Sequence, residues 1–506
     1  MQQNHTSILL RSVSVALLAA GSGITPQVHA ACASQNTCFG INALQSVTTG
    51  DLNTAFGYEA LFSDSTGSFN SAFGASALRS NTTGTSNTAF GSGALRANTT
   101  GERNTAVGNS TLISFATGTK NTAVGNFALA GLEAPANGDR NTALGDAALY
   151  SLTSGSDNTA LGNEALEGTT ASPLFSAVGN TAVGSRAMER VTSAEGSTAI
   201  GYLALLGING DSPAPINFNT AVGAGAMQLN RDGVYNTATG YHALFSQRPG
   251  ITGDRNTANG ANALLANTKG SGNTASGADS LHSNTEGFRN TGAGINSLGS
   301  VTTGGRNTAF GAAAGSGITT GSDNIVIGAQ NPGQAAENGV IRIGNGAFQK
   351  KAFIAGVSGV TTGLNGATAV FVDANGQLGT IKSSQAFKED IQPLADASER
   401  IYELRPVSFR YKQPYEDGSK PVQYGLIAEE VARVFPELVV YDAQGKPETV
   451  AYHLLASLLL NELQKERSVT DRQTATLERQ ALELAQLKED MSRMTALIAQ
   501  IAQGRQ

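Results

Sequence analysis

NTAFGYEAL, residues 53–61, is a phrase that the chain repeats about every seventeen residues from Gly40 to Gly328. Counted by its glycine (Gly40, Gly57, Gly74 and onward), it occurs seventeen times. Its opening Asn is kept in every copy but one, where Ser197 stands, and its third residue is Ala except at Cys38, Gly292 and Val326. Four intervals are longer, by three, five, five and three residues, and the additions are turn-like, as in APANG at 134–138 and SPAPI at 212–216. A fixed period of this length predicts a stacked array, with the insertions as loops on one face.

The residue types explain why such units stack. Thr, Ala and an apolar residue (Phe56, Val107, Leu144, Ile200) predict a short strand that cannot bury a face alone. Laid on its neighbour at about 4.8 Å, it builds a sheet along the array axis. The glycine marks a corner where the chain takes positive φ or where another backbone comes close. Asn at one place in successive coils predicts a ladder of bonds to its neighbour or to the turn backbone. The second half of each unit, as in LRANTTGERN (95–104), is polar and reads as the return turn. Seventeen such coils predict a rod of roughly 80 Å. The fold class is therefore a mainly β repeat array of the β-roll or β-helix kind.

Composition points to a fibre before an enzyme core. The chain has 61 Gly, no Trp and only 14% charged residues, against about 25% charged in an ordinary globular domain. A net charge of -6 without clustered Lys and Arg excludes a nucleic-acid footprint. The acids of the array (Glu59, Asp146, Glu164, Asp279) recur irregularly and form no repeated catalytic pair or calcium motif. Neither a cofactor nor a metal site is expected. A row of Thr (Thr54, Thr88, Thr105) would suit an ice- or mineral-binding face if it pointed outward, a direction the sequence leaves open.

Residues 1–30 carry Arg11, the apolar stretch SVALLAA and VHA before Ala31, the pattern of a secretory signal peptide cleaved near Ala30. An uncleaved anchor is the competing reading. No later stretch is apolar enough for a membrane helix, and no terminal β-barrel pattern is visible, so a secreted or cell-surface protein is expected. Cys32 and Cys38 are the only cysteines. They either close a disulfide that caps the first coil, which an export context permits, or Cys38 merely fills the Ala position and Cys32 is free. A lipid anchor on Cys32 fits less well, because HAA before it lacks an apolar residue.

The repeat array is assigned to 31–330, and residues 331–382 read as a β-rich neck, with DANG at 373–376 as a hairpin turn. Residues 383–452 are more charged and read as compact α+β elements, including a helix carrying Leu426, Ile427, Val431 and Val434. Residues 453–506 read as helix and coiled coil. Leu484, Met491 and Ile498 fall at heptad position a and Leu487, Met494 and Ile501 at d, a pattern that favours three strands. His453, Tyr424 and Tyr452 read as packed or capping residues, and the adjacent Glu429 and Glu430 as a solvated helix face.

SSQAFKEDI, LRPVSFRYK, YGLIAEEVARVFPELV and VAYHLLASLLLNELQ, followed by the heptads, resemble the C-terminal intramolecular chaperone domain of phage tailspikes and endosialidases, the peptidase S74 family. The likeness covers 383–506. The array resembles, more loosely, the head repeats of YadA-like trimeric adhesins. These resemblances imply a homotrimer whose C-terminal domain aligns three chains and then cuts itself off by a Ser-Lys reaction. A serine attacks only when a base takes its proton, and a lysine made neutral by burial is such a base. The family spacing places the nucleophile at Ser383 and the base at Lys388, with the bond Lys382–Ser383 cut. One departure bears on this: where the family has Arg two residues before the Lys, this chain has Ala386. Two function classes follow: a trimeric, adhesin-like fibre with a glycan or host-surface ligand, and a tailspike-like enzyme degrading polysaccharide. The uniform array favours the first, because catalysis needs unlike residues converging on one place.

Overall fold

A computed structural model describes residues 32, 35–131, 136–168, 177–191, 193–207, 217–245, 253–357, 360, 362–373, 375–442 and 444–503. Residues 1–31, which include the stretch read as a leader, and most of the added residues of the four longer intervals lie outside the described residues; of APANG, Ala136 to Gly138 are described, and Ala136 bridges to Phe115. The chain divides into two compact units, Met1–Phe353 and Ile354–Gln506.

In the first unit, eighteen three-residue strands, from β1 (Thr37–Phe39) to β18 (Ile341–Ile343), form one parallel sheet. Each strand pairs with the next in phase, as in Thr54↔Ser71, Ala55↔Ala72 and Phe56↔Phe73. The result is a parallel β-solenoid whose every coil adds one rung. The ladder runs one rung beyond Gly328: IRIGNG, read from sequence as the start of the neck, supplies β18, where Ile341 and Ile343 pair with Ile325 and Ile327.

Strand alternation sorts the side chains. The middle Ala is fully buried while Thr and the apolar third residue face outward, so the Thr row is on the surface. The interior is filled by that Ala and by an Ala–Leu pair beyond the corner, such as Ala60–Leu61 and Ala77–Leu78. These buried leucines are left-handed, with φ 52° at Leu61 and 51° at Leu78, a conformation costing roughly 1–2 kcal/mol per residue. Backbone bonds between coils offset that cost: Leu61 N–H donates to Ala77 O at 3.0 Å and Leu78 N–H to Ala94 O at 2.9 Å.

The ladder Asn is wholly buried and bonded at both ends of its amide. Asn53 Oδ1 accepts from Asn70 N–H at 2.9 Å, and Asn53 Nδ2 donates to Gly67 O at 2.8 Å. Ser197 keeps the accepting half, for Asn219 N–H donates to its Oγ at 3.1 Å. A second buried ladder appears in two places, Asp64–Asn81–Asn98 and Asn267–Asn284. Each stops where the following coil presents an apolar residue, Phe115 or Val301, and there Asn98 Oδ1 and Asn284 Oδ1 are left without a protein partner.

Both ends of the stack are closed by different chemistry. At the first rung Cys38 occupies the Ala position and is joined to Cys32 by a disulfide, with Cα atoms 6.0 Å apart. At the last rung Arg342 takes the inward position and pairs with the buried Glu337 carboxylate at 2.7 Å.

The second unit begins with a hairpin, β19 (Phe371–Val372) and β20 (Leu378–Gly379). Asp373 Oδ1 holds its turn by accepting N–H groups of Asn375 and Gln377 at 2.9 and 2.8 Å. Two more antiparallel pairs follow, β21 (Val407–Phe409) with β22 (Gln423–Gly425), and β23 (Val439–Tyr441) with β24 (Pro447–Val450). Between them lies the short helix α1 (Ala428–Val434), and α2 (Tyr452–Gln503) runs for 52 residues. Val431, Phe435, Leu438, Val450 and Leu458 form a small core. Leu426 and Ile427, expected on the helix, lie in the approach to it.

A buried polar pin holds the start of α2 to the 3-10 segment Ala395–Glu403. Ser398 Oγ donates to Glu462 and accepts from Asn461 Nδ2, while Lys465 Nζ lies 3.0 Å from Glu399 and 3.1 Å from Glu462. The Ser398 hydrogen bond, helped by Lys465, holds the Glu462 carboxyl below its usual range against the opposing effect of burial. Tyr424 does not pack as expected: it is 83% exposed, because the middle residue of β22 points away from the core. Tyr452 is half exposed, and its hydroxyl accepts the Leu426 N–H at 2.9 Å. No helix among the described residues is long and apolar enough to cross a membrane.

Candidate functional site

Ser383 and Lys388 are brought together by one turn. Ser384 caps the 3-10 turn Gln385–Phe387, its Oγ accepting the Ala386 N–H at 3.4 Å, and Lys388 N–H closes it on Gln385 O at 3.1 Å. The turn reverses the chain over five residues, so that Lys388 Nζ reaches back and donates to Ser383 Oγ at 3.1 Å. Lys382 folds over the same turn, with its ammonium 4.4 Å from the centre of the Phe387 ring. Lys382, Ser383 and Lys388 are all exposed in the single chain. Ala386 contributes its backbone N–H to the cap and no charge to the site.

Chemically, this is a hydroxyl hydrogen-bonded to an amine beside the peptide bond that precedes it. With the proton on Lys388 the bond runs from nitrogen to oxygen; general-base chemistry needs it reversed, with a neutral amine accepting from the hydroxyl.

The other residues singled out from sequence have structural roles. His453 meets Phe371 at a tilt of 57°, ring centres 5.0 Å apart. Glu430 is paired with Arg405 at 2.6 Å, and that hydrogen bond holds its carboxyl below the usual range; Glu429 is exposed.

Periodicity concealed one cluster. Glu164, Glu167 and Glu189 come from two neighbouring coils and meet, with Arg186 and Arg190 among them. Burial, then the charges of Glu164 and Glu189, push the Glu167 carboxyl up to about 7. Arg186 bonds to Glu189 and lies 3.4 Å from Glu164, while Arg190 lies 3.0 Å from Glu189. The two arginines pair with Glu164 and Glu189 and leave Glu167 outside the ion pairs, so the group is a partly buried network of three carboxylates and two arginines.

A family model described as chaperone of endosialidase, of the peptidase S74 type, matches residues 383–440, beginning at Ser383 itself. No curated protein and no solved structure shows a significant match to the chain. A parallel β-solenoid followed by this chaperone domain fits a tail-fibre or tailspike-like protein.

Proposed function

We propose that the chain is a secreted or surface-exposed trimeric fibre with a glycan or other cell-surface ligand, and that its C-terminal domain assembles three copies and then cuts itself away. The observation that carries the reading is the Ser383–Lys388 contact at the first residue of the chaperone match. Assembly is supported by α2, whose Leu484, Leu487, Met491, Met494, Ile498 and Ile501 are each 54–66% exposed in the single chain. A heptad row left in water is stabilised by packing against copies of itself.

In the cut, Lys388 in its amine form takes the Ser383 hydroxyl proton as Oγ attacks the Lys382 carbonyl carbon. The bond from that carbon to the Ser383 nitrogen breaks as the nitrogen takes the proton, leaving an ester that water hydrolyses. The products are a chain ending at Lys382 and a released 383–506. A neutral amine is favoured by burial, and both groups are exposed in one chain, so the reading ties cutting to assembly. The polysaccharide-degrading alternative is less well supported, because two of the three carboxylates that meet in the array, Glu164 and Glu189, are bound to arginines.

Three chains per particle are expected from mass measurement in solution, and a monomer refutes the assembly reading. Denaturing gels are expected to show two fragments for the parent chain and one full-length band for Ser383→Ala and for Lys388→Ala. A full-length band in all three removes the self-cleavage and leaves the fibre. Ala386→Arg, which restores the charge the family carries there, is expected to raise the cut fraction.

A further inference from the structure

The outward face of the solenoid sheet is uncharged from end to end. Its two outward positions per strand hold Thr or Ser, with Ile in the last two rungs, and a third residue that is never ionisable. Charges of both signs sit elsewhere on the same coils, at Glu59, Arg103, Lys120 and Arg186. Much of the face is apolar and in water: Phe39, Phe90, Leu144 and Phe310 are each 45–62% exposed. An exposed apolar strip of this extent marks an interaction surface.

The strip is ordered in blocks. Phe39, Phe56, Phe73 and Phe90 lie ring against ring in succession, centres 5.2–6.1 Å apart, with the Phe56–Phe73 pair stacked and the outer two pairs tilted. Aliphatic residues follow from Val107 to Val222, then polar Thr239, Asn259 and Ser276, and bulky apolar residues return from Phe310 to Ile343. We infer that this strip is where copies of the chain pack on one another, in parallel and rung for rung, the block order setting the register.

The occupant follows from spacing and size. Eighteen rungs at about 4.8 Å, three residues wide at about 3.3 Å each, outline about 800 Å², the area each partner buries in a standard stable interface. A partner that meets aromatic, aliphatic and polar blocks in this order must carry the same rung spacing, which a second copy does by construction. An ice or mineral lattice would need Thr along the whole row, and Ile325 and Ile341 break it at the end. The inference rests on the trimer reading and adds which face is used.

Single cysteines test it in the full chain, whose own two cysteines are already bonded to each other. Val124→Cys lies on the strip and Lys120→Cys on the same coil away from it. Under mild oxidation, non-reducing gels are expected to shift most of the Val124→Cys chain to twice its mass and to leave Lys120→Cys unshifted. A trimeric mass with no link at Val124→Cys, or equal linking at both sites, overturns the face and leaves the trimer standing; a monomeric mass removes both. Register is read by co-expressing Phe56→Cys and Leu161→Cys chains of different length. Links between like variants alone support it, and a mixed link overturns it.

Discussion

Gly277→Ala is expected to break the solenoid at one rung. Gly277 has φ 132°, where an L side chain is strained in any surroundings, and a Cβ there would lie 2.6 Å from both the carbonyl carbon and oxygen of Gly294 on the next coil. The backbone cannot move away cheaply, because Gly277 N–H is donated to Asn259 O at 2.8 Å. Strain at a forbidden φ and overpacking each cost about 1–3 kcal/mol, so the sum exceeds the effect of most surface substitutions. A stacked array is held by nearest-neighbour interfaces, so the damage should stay local. Limited proteolysis is expected to cut near residues 277–294 while distant coils stay protected. Gly272→Ser is the control: the equivalent Ser86 already has φ 60°, and the nearest atom to a Cβ at Gly272 is Arg289 Cγ at 3.6 Å. Equal protease resistance in both variants would remove the corner argument.

The corner was legible because a residue that returns unchanged seventeen times, and is always glycine, has a backbone reason to be there. The Asn ladder was legible for a similar reason, since a polar residue at one height in every coil has its neighbours as partners. Rung β18 was hidden because Val340 replaces the Asn and Arg342 the Ala, leaving only Ile341, Ile343 and Gly344 to carry the pattern. The left-handed leucines carried no signal at all, for Leu ordinarily avoids that region and here accepts it under inter-coil hydrogen bonding. The outward direction of Thr could not be read either: alternation places it opposite Ala, but only the closed coil decides which side is inside. At the candidate site, the spacing of Ser383 and Lys388 was legible through the family likeness. Their contact depends on the cap that Ser384 places on the next turn, a local hydrogen bond that spacing does not report.

Asp64→Asn is expected to stabilise the first coils, and to do so mainly above neutral pH. Asp64 begins the buried ladder that continues as Asn81 and Asn98, and it is 0% exposed. Its Oδ1 accepts from Asn81 Nδ2 at 2.9 Å, but its Oδ2 has no partner. Burial pushes the carboxyl up to about 7 from 3.8, against the smaller opposing effect of hydrogen bonds from Asn81 and Gly67. A folded pKa above the unfolded one means that the native state holds the extra proton. Stability therefore falls as pH rises from about 4 to about 7 and stays low beyond it. The amide is neutral at every pH, keeps the acceptor for Asn81, and gains a donor for the Gly67 carbonyl, as Asn81 Nδ2 bonds to Gly84 O at 3.0 Å one coil later. An unmatched buried polar atom costs about 1–3 kcal/mol, which sets the gain expected at pH 8. At pH 5, where the acid is already neutral, the gain should be smaller. Hydrogen exchange of the rungs at residues 54–90, compared at the two pH values, reads the difference directly. Slower exchange in the variant by the same factor at both would show that the charge is not the cause, and faster exchange at pH 8 would show that the carboxylate is better matched than its geometry allows.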